Sequence, residues 1–183
     1  MYMTLSKYYF DKCCKFADEQ LETSKDLYMY RGEHRLEKMR NDIIVGKMGE
    51  VAAYRYLKVR GYNVSKPDFT IYERHNKSFD ADITTKCGKS VHVKSQGFES
   101  MVRYGASWLL QKSDKITKNP SCEDYILMVN LNGLEANILG VVSVHDLVLN
   151  ELYEEPKVSR YAQTKKAIYF DSIKQSGISL EAL

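Results

Sequence analysis

Three separate stretches of the sequence carry side chains that could act together on a phosphodiester. Glu50 lies in a glycine-containing stretch, Asp82 lies within residues 79–83, and Lys94 lies within residues 91–96. Two carboxylates can hold a divalent cation, and an adjacent ammonium group can position a water molecule and stabilise developing negative charge. These residue types therefore indicate metal-assisted hydrolysis, provided that the fold brings them together.

The stretch around Glu50 predicts a helix with one small, apolar face. The residues of that face recur at helical spacing: Gly46, Gly49, Ala53 and Leu57. A glutamate on such a face is buried and needs a lysine or a metal ion nearby. The alternative is a slightly rotated helix, in which Glu50 pairs with Lys47 or Arg55 at the surface.

Residues 79–96 predict a β-hairpin, because polar and apolar side chains alternate on both sides of a glycine. A three-residue turn at Cys87-Gly88-Lys89, with a left-handed glycine, pairs Ile83 with Val93. The same register sets Asp82 opposite Lys94, whereas a two-residue turn sets valine opposite aspartate. The pair of Asp82 and Lys94 by itself is equally consistent with a simple cross-strand ion pair, which stabilises a sheet by about 0.2–1 kcal/mol. Three further polar side chains share this side of the hairpin: Asp80, His92 and Gln96. This polar strip favours a site over a plain ion pair.

These residues, in this order, resemble the PD-(D/E)xK nuclease superfamily, which has the restriction-endonuclease-like fold. The resemblance spans roughly residues 46–96, with Gly46-Lys47-Met48-Gly49-Glu50 on a helix, Asp82-Ile83 on a strand, and His92-Val93-Lys94-Ser95-Gln96 on the next strand. Small phage endonucleases, restriction enzymes and Holliday-junction resolvases share this order of elements.

The resemblance implies a role for each matching residue. Glu50 and Asp82 become ligands of Mg²⁺ or Mn²⁺, and the backbone carbonyl of Val93 becomes another. Lys94 orients or activates water, and Gln96 lies near the scissile phosphate. We therefore expect a metal-dependent DNA endonuclease, in which Lys94→Ala abolishes turnover but spares DNA binding.

Two positions depart from the family pattern. Ala81 stands where proline is frequent, which matters little because proline contributes no ligand. His92 stands where the family has Asp or Glu, so the site loses a negative charge and should hold Mg²⁺ less tightly. Either His92 is a ligand or base, or Asp80 compensates, although two residues along a strand place Asp80 roughly 6–7 Å from Asp82.

Two alternatives stay open. Pro67-Asp68 is a literal proline–aspartate pair, but we prefer Asp82 because the hairpin itself brings it to Lys94, and Pro67-Asp68 is equally an ordinary turn. The alternative function is a catalytically inactive DNA-binding protein that retains the nuclease fold, because His92 replaces the usual acid. A third is an interaction module without nucleic acid.

Basic residues predict where DNA is held, although a net charge of +3 does not by itself indicate a nucleic-acid partner. We assign phosphate contacts to two locally basic stretches. They comprise Lys86, Lys89, Arg103, Lys112 and Lys115 in the first, and Lys157, Arg160, Lys165 and Lys166 in the second. Tyr104 could stack on bases, whereas core packing is preferred for Trp108. A single site of this kind cuts one DNA strand, so a concerted double-strand break would require a homodimer.

Length and composition bound these expectations. A chain of 183 residues with 44% hydrophobic content can bury one core, so we expect a single nuclease-like domain over residues 1–183. No apolar run approaches the roughly 20 residues of a membrane helix, and a secretory signal is not recognisable. The four cysteines match neither a disulfide framework nor a zinc site. We expect free thiols and a cytoplasmic protein, in the host cytoplasm if phage-encoded.

The expected fold class is α/β, with a restriction-endonuclease-like core and N-terminal helices packed on a central mixed sheet. Helical signals cover about residues 1–60, with a break near Gly32, and strand signals cover about residues 61–170. Residues 171–183 form a terminal helix or tail. Residues 97–120 are expected to be a long surface loop or a strand flanked by loops.

Overall fold

The computed structural model of the chain describes residues 1–30, 35–72 and 81–183, and the side chains of these residues outside 24–30. The helices are α1 (Lys7–Tyr30), α2 (Leu36–Val59), α3 (Phe98–Tyr104), α4 (Lys115–Lys118), α5 (Val144–Leu149) and α6 (Phe170–Ser176). The strands are β1 (Tyr2–Thr4), β2 (Ile83–Thr84), β3 (Ser90–Gly97), β4 (Ser107–Gln111), β5 (Asp124–Asn132), β6 (Glu135–Ser143) and β7 (Lys165–Tyr169). The predicted break at Gly32 and the side chain of Asp80 lie outside the described residues.

Five strands form a mixed sheet in the order β1-β6-β5-β3-β2. β3 and β5 run parallel, and the other neighbours in this sheet run antiparallel. β4 and β7 form a separate antiparallel pair. β5 lies at the centre and is buried on both faces, which explains why its sequence is almost continuously apolar instead of alternating. The predicted α/β class with a mixed sheet is confirmed.

The central sheet separates two hydrophobic cores. On one side, Leu127 of β5 packs with Met48 and with other buried residues of α1 and α2. On the other side, Ile126 of β5 packs with Trp108 of β4 and with residues of β7, α4, α5 and α6. The N-terminal helices therefore cover one face of the sheet, as predicted. None of the helices in the described ranges combines the length and apolar character of a membrane span.

The structure resolves the region that the sequence left ambiguous. Residues 97–120 contain the strand β4, so the predicted strand is confirmed and the predicted long loop is not. The strand is flanked by the short helices α3 and α4 and not by loops. Trp108 is only 3% exposed, which confirms the preference for core packing. α6 ends at Ser176 and an extended tail follows, so the C-terminal segment is both helix and tail. The four cysteines are free thiols, as expected.

The predicted register of the hairpin is wrong by two residues. Ile83 pairs with Val91 and not with Val93, so Asp82 is not opposite Lys94. The turn does contain three residues, but they are 86–88, because Thr85 and Lys89 close it: Thr85 N–H donates to Lys89 O at 3.0 Å and Lys89 N–H donates to Thr85 Oγ1 at 2.9 Å. Gly88 has a φ of +91° and takes the last place of the turn, where a three-residue hairpin needs its left-handed residue.

Candidate functional site

The position of Glu50 depends on the close packing of α2 against β3. The side chain of Ser95 occupies the space beside Gly49, so a Cβ at this glycine would lie 1.7 Å from Ser95 Oγ. Glycine is therefore what permits the close approach of helix and strand. The Glu50 side chain, one residue further on, is only 14% exposed. The sequence prediction of a small face carrying a buried acid agrees with this arrangement.

The partner of Glu50 is Lys47, one turn earlier on the same helix. Lys47 Nζ lies 2.7 Å from Glu50 Oε2 and donates a second hydrogen bond, of 2.6 Å, to the backbone carbonyl of Asp68. The ammonium also lies 4.9 Å from the centre of the Phe16 ring. The sequence allows this ion pair for a surface glutamate, but in the structure both partners are largely buried.

The pKa of Glu50 is raised to about 7, chiefly by burial; Lys47 opposes the rise, and the charges of Asp82 and Asp68 contribute to it. A buried carboxylate of this kind ionises readily only when more positive charge is supplied. The same environment raises the pKa of the neighbouring Cys13 thiol to about 12, chiefly through burial and then through the charge of Glu50. Cys13 is therefore a neutral thiol here and not a nucleophile.

Asp82 lies against the edge of β3. Its Oδ2 accepts a hydrogen bond of 2.7 Å from the backbone N–H of Val93. Ser90 N–H donates to Glu123 O, so the even-numbered residues of β3 turn their backbone groups toward β5 and the odd-numbered residues turn theirs toward β2. The carbonyl of Val93 therefore points to the same edge as the N–H that holds Asp82. Asp82 and the Val93 carbonyl therefore share one edge of β3, and the charge of Asp82 acts on Glu50 of α2.

His92 lies on the opposite face of β3 from the Val93 side chain, and it is paired. Its Nε2 lies 3.4 Å from Oδ1 of Asp124, the first residue of β5. Burial lowers the pKa of His92, Asp124 opposes this shift, and the charge of Lys94 adds to it. The imidazole is therefore neutral at pH 7, and the contact with Asp124 is a hydrogen bond and not an ion pair. Sequence reasoning missed Asp124, whose only signal is its position directly before the apolar run of β5.

Lys94 shares the face of β3 with His92, because alternate residues of a strand face the same way. Its partner in the parallel register is the buried Met128 of β5. The side chain is half-buried and forms no ion pair with any residue of the described ranges. A lysine in this position is available to a ligand, although the true register removes it from direct contact with Asp82.

Gln96 is 6% exposed, and its amide is bound to the chain that follows α3. Nε2 donates to Gly105 O at 3.0 Å and to Ser100 Oγ at 3.2 Å, while Oε1 accepts from Ser107 N–H at 3.1 Å. These bonds fix the connection from α3 to β4. Its assigned place near the scissile phosphate stays a prediction.

Asp68, the rival candidate for the metal aspartate, lies on the α2 side of the site. Its carboxylate accepts hydrogen bonds from Thr70 N–H at 2.8 Å and from Tyr72 Oη at 2.6 Å, which outweigh partial burial and hold its pKa below the ordinary value. This is a local turn, as the sequence allowed. Its carboxylate is thus occupied by its own turn, while its carbonyl binds Lys47.

The two predicted basic stretches come together on the β4–β7 strand pair. Gln111 pairs with Lys165 and Leu110 pairs with Lys166, so the end of the first stretch lies beside the second. Several of these cations already contact the protein: Lys89, Arg103, Lys112, Lys157, Arg160, Lys165 and Lys166. Lys86 and Lys115 are exposed. Lys115 begins α4 in the same half of the molecule, whereas Lys86 lies in the hairpin turn, where its N–H donates to Asn63 O just beyond the end of α2.

The donor set is chemically suited to a hard divalent cation, because Glu50, Asp82 and the Val93 carbonyl all offer oxygen. The raised pKa of Glu50 is the mark of a carboxylate with too little positive charge nearby. Across residues 1–30, 35–72 and 81–183, however, three or more His, Cys, Asp or Glu side chains are nowhere gathered into a preformed metal cluster. Comparisons of the chain with protein-family models, with curated proteins and with solved structures found no match.

Proposed function

We propose that the protein is a divalent-metal-dependent DNA endonuclease with a restriction-endonuclease-like core. The observation that carries this proposal is the meeting of two acids from different elements. Asp82 is seated on the edge of β3 by the Val93 N–H, and its charge acts on the buried Glu50 of α2. This coupling supports the proposal, because the sequence motif needs an acid from the helix near an acid from the strand.

Glu50, Asp82 and the Val93 carbonyl would hold Mg²⁺ or Mn²⁺. Such an ion, when bound, offsets the charge of the phosphate and lowers the pKa of a coordinated water. Glu50 gains most from the added charge, because its carboxylate is the one whose ionisation burial opposes. Asp82 is already oriented by its hydrogen bond, so it brings one fixed ligand direction to the site.

Lys94 supplies the positive group of the reaction. Its ammonium lies on the same strand as the Val93 carbonyl, one residue further on. A lysine held there donates a hydrogen bond to the attacking water or to a phosphate oxygen, and it stabilises the charge that develops in the transition state. Lys94 is a better candidate for this role than Lys47, whose ammonium is already bound to Glu50 and to the carbonyl of Asp68.

The DNA backbone would lie across the β4–β7 strand pair. The basic side chains there come from two distant parts of the sequence and would contact the phosphates of the DNA. Lys115, exposed at the start of α4, would add to this surface, and Lys86, exposed at the hairpin turn, would make a separate phosphate contact.

Cleavage of supercoiled plasmid in Mg²⁺ or Mn²⁺ tests the proposal. Wild-type protein should nick or linearise the plasmid, and EDTA should stop the reaction. Asp82→Asn should abolish cutting, because it removes a ligand charge without changing the shape of the side chain. Glu19→Gln is the matched control, since Glu19 is an exposed acid on α1 and its loss should leave cutting unchanged. Equal cutting by both variants would contradict the proposed site.

A second candidate function is DNA binding without cleavage. Two observations favour it: Lys47 already neutralises Glu50, and His92 stands where the nuclease family has an acid. This protein would bind DNA in a salt-sensitive manner, and it would leave supercoiled plasmid intact in both metals. The plasmid assay therefore separates the two functions, and the endonuclease is preferred because Asp82, Glu50 and Lys94 are all present.

A further inference from the structure

A cleft of about 280 Å³ lies between the end of α3 and the start of α6. Its volume is at the lower end of the range for ligand pockets, about 300–1,000 Å³, and suits one small ring system. The residues that matter for its chemistry come from three parts of the chain: Tyr104, Gly105, Glu154, Lys157, Tyr169 and Asp171. Because Tyr169 is the last residue of β7, the cleft lies at one end of the strand pair across which the DNA would lie.

The cleft has a firmly held wall at the end of β7. Glu154 N–H donates to Ala167 O and Ala167 N–H donates to Glu154 O, both at 2.8 Å, so the chain at Glu154 extends the β4–β7 pair. Tyr169, two residues after Ala167, lies on the same face of β7. Its hydroxyl accepts from Lys157 N–H at 2.8 Å and donates to Glu155 O at 3.2 Å. The Tyr169 ring is therefore fixed at both ends.

Lys157 brings a positive charge to the cleft. Its Nζ donates to Tyr104 O at 3.0 Å and lies 4.9 Å from the centre of the Tyr169 ring. A Cβ on Gly105 would lie 3.8 Å from the same nitrogen. Among the described residues that line the cleft, Lys157 is the one cationic side chain. An ammonium has three protons to donate, so it can bind a ligand as well as the Tyr104 carbonyl.

Glu154 and Asp171 supply two carboxylates whose charge the described residues leave unpaired. Neither acid forms an ion pair with residues 1–30, 35–72 or 81–183, whereas Glu155 lies 3.3 Å from Lys166 Nζ. Oε1 of Glu154 is buried and has no hydrogen-bond partner within the same ranges. Since the last torsion of a glutamate is soft, this carboxylate can turn toward a donor in the cleft without breaking a hydrogen bond.

These groups define the hydrogen bonds that a ligand must offer. A carboxylate only accepts and an ammonium only donates, so the ligand needs a donor beside an acceptor. Cytosine and adenine provide both, with an exocyclic amino group next to a ring nitrogen. Thymine has a carbonyl oxygen in place of that amino group, and a carboxylate repels it. The two acids also disfavour a phosphate, and Lys157 disfavours a simple cation.

We propose that this cleft binds one unpaired cytosine or adenine, with the amino group on Glu154 and the neighbouring ring nitrogen on Lys157. The base must be unpaired, because in a duplex the complementary strand occupies the same edge. This inference rests on the proposed function, and it names the substrate class as DNA with single-stranded or unpaired positions.

Fluorescence anisotropy in EDTA tests the proposal without cleavage of the DNA. The probes are two short oligothymidylates of equal length, one of which carries a single central cytosine. The wild-type protein should bind the cytosine probe about 5–100-fold more tightly. A third probe, with N4,N4-dimethylcytosine at the same place, lacks the amino protons and should bind like the oligothymidylate.

Variants locate the preference in the cleft. Glu154→Ala should abolish the preference for cytosine and leave the affinity for the oligothymidylate unchanged. Glu19→Ala, at an exposed acid of α1, should keep the full preference. Equal affinities of the wild type for cytosine and thymine probes overturn the proposal, as does a full preference in a folded Glu154→Ala protein.

A second variant decides if Glu154→Ala does not fold. Asp171→Asn removes the other charge of the cleft at an exposed position and should narrow the preference for cytosine. An unchanged preference in that protein would place the base elsewhere. Plasmid cutting without a cytosine preference defeats only this inference, whereas a cytosine preference without cutting defeats only the proposed endonuclease.

Discussion

Ser95 of β3 fills the space next to Gly49 of α2, and its side chain leaves no room for a larger residue there. A Cβ on Gly49 would lie 2.8 Å from Ser95 Cβ as well as 1.7 Å from Ser95 Oγ. The hydroxyl is buried and lacks a hydrogen-bond partner within the part of the chain that the structure describes. The close packing of α2 on β3 therefore leaves one buried hydroxyl without a hydrogen bond, at the position directly before Glu50.

Gly49→Ala should therefore destabilise the protein by about 1–3 kcal/mol, because the methyl group forces α2 away from β3. Gly46→Ala on the same helix is the matched control: a Cβ there meets nothing within 4 Å. That variant should be more stable by about 0.5–1 kcal/mol, as expected for glycine replaced by alanine in a helix. Urea unfolding measures both, and Ser95→Gly should recover part of the Gly49→Ala loss. Equal stabilities of the two alanine variants would contradict the close contact.

Glu50 should make the metal-free protein less stable as the pH rises from about 4.5 to about 7. Its folded pKa of about 7 is above the ordinary value of 4.5, so the folded state binds more protons than the unfolded state between these values. Stability is then lost as the pH rises through this window, by at most about 3 kcal/mol. Glu50→Gln should remove this loss, which urea unfolding in EDTA from about pH 5 to about pH 8 can measure. An unchanged pH dependence would show that Glu50 is not the buried acid described here, and Glu19→Gln provides the control.

Mg²⁺ or Mn²⁺ should raise the melting temperature, and more so above pH 7 than below it. A cation that binds only the folded state adds about 2.7 kcal/mol at a concentration 100-fold above its Kd. Below its pKa, Glu50 holds a proton that the cation must displace, so affinity falls with the pH. Differential scanning fluorimetry with and without EDTA measures this effect. Asp82→Asn should lose the metal-dependent shift, and a shift that survives in that variant would place the cation elsewhere.

Lys94→Ala should lower the cleavage rate by about 10²–10³-fold, which is the usual cost of one stabilising donor in the transition state. DNA affinity should change little, because one lysine among many phosphate contacts adds a small part of the binding energy. Single-turnover cleavage and fluorescence anisotropy measure the two effects separately. Lys174→Ala on α6 is the control. A parallel loss of binding and cutting would instead make Lys94 a DNA-anchoring residue.

Lys86→Gln and Lys115→Gln should each weaken DNA binding similarly for different sequences. Each should also reduce the slope of log K against log salt by about 1, since each releases one phosphate contact. Lys7→Gln on α1 is the control, because that helix covers the opposite face of the central sheet from the β4–β7 pair. Salt titrations by fluorescence anisotropy decide, and unchanged slopes would remove these lysines from the proposed DNA surface.

The local elements of this protein can be identified from the order of its residues. Helical spacing of small residues around Glu50 identified α2, and alternation around a glycine identified the hairpin of β2 and β3. These features are readable because side-chain periodicity depends on local backbone geometry. The acids and the lysine of the candidate site could therefore be named before their positions in space were known.

The way in which those elements pack together depends on long-range contacts. A two-residue shift preserves alternation, so the sequence pattern could not distinguish Ile83–Val91 from Ile83–Val93, and contacts of Thr85 with Lys89 made the choice. The pairing of His92 with Asp124 joins residues 32 positions apart through parallel strands. Such contacts depend on the packing of the whole sheet, and no local pattern encodes them.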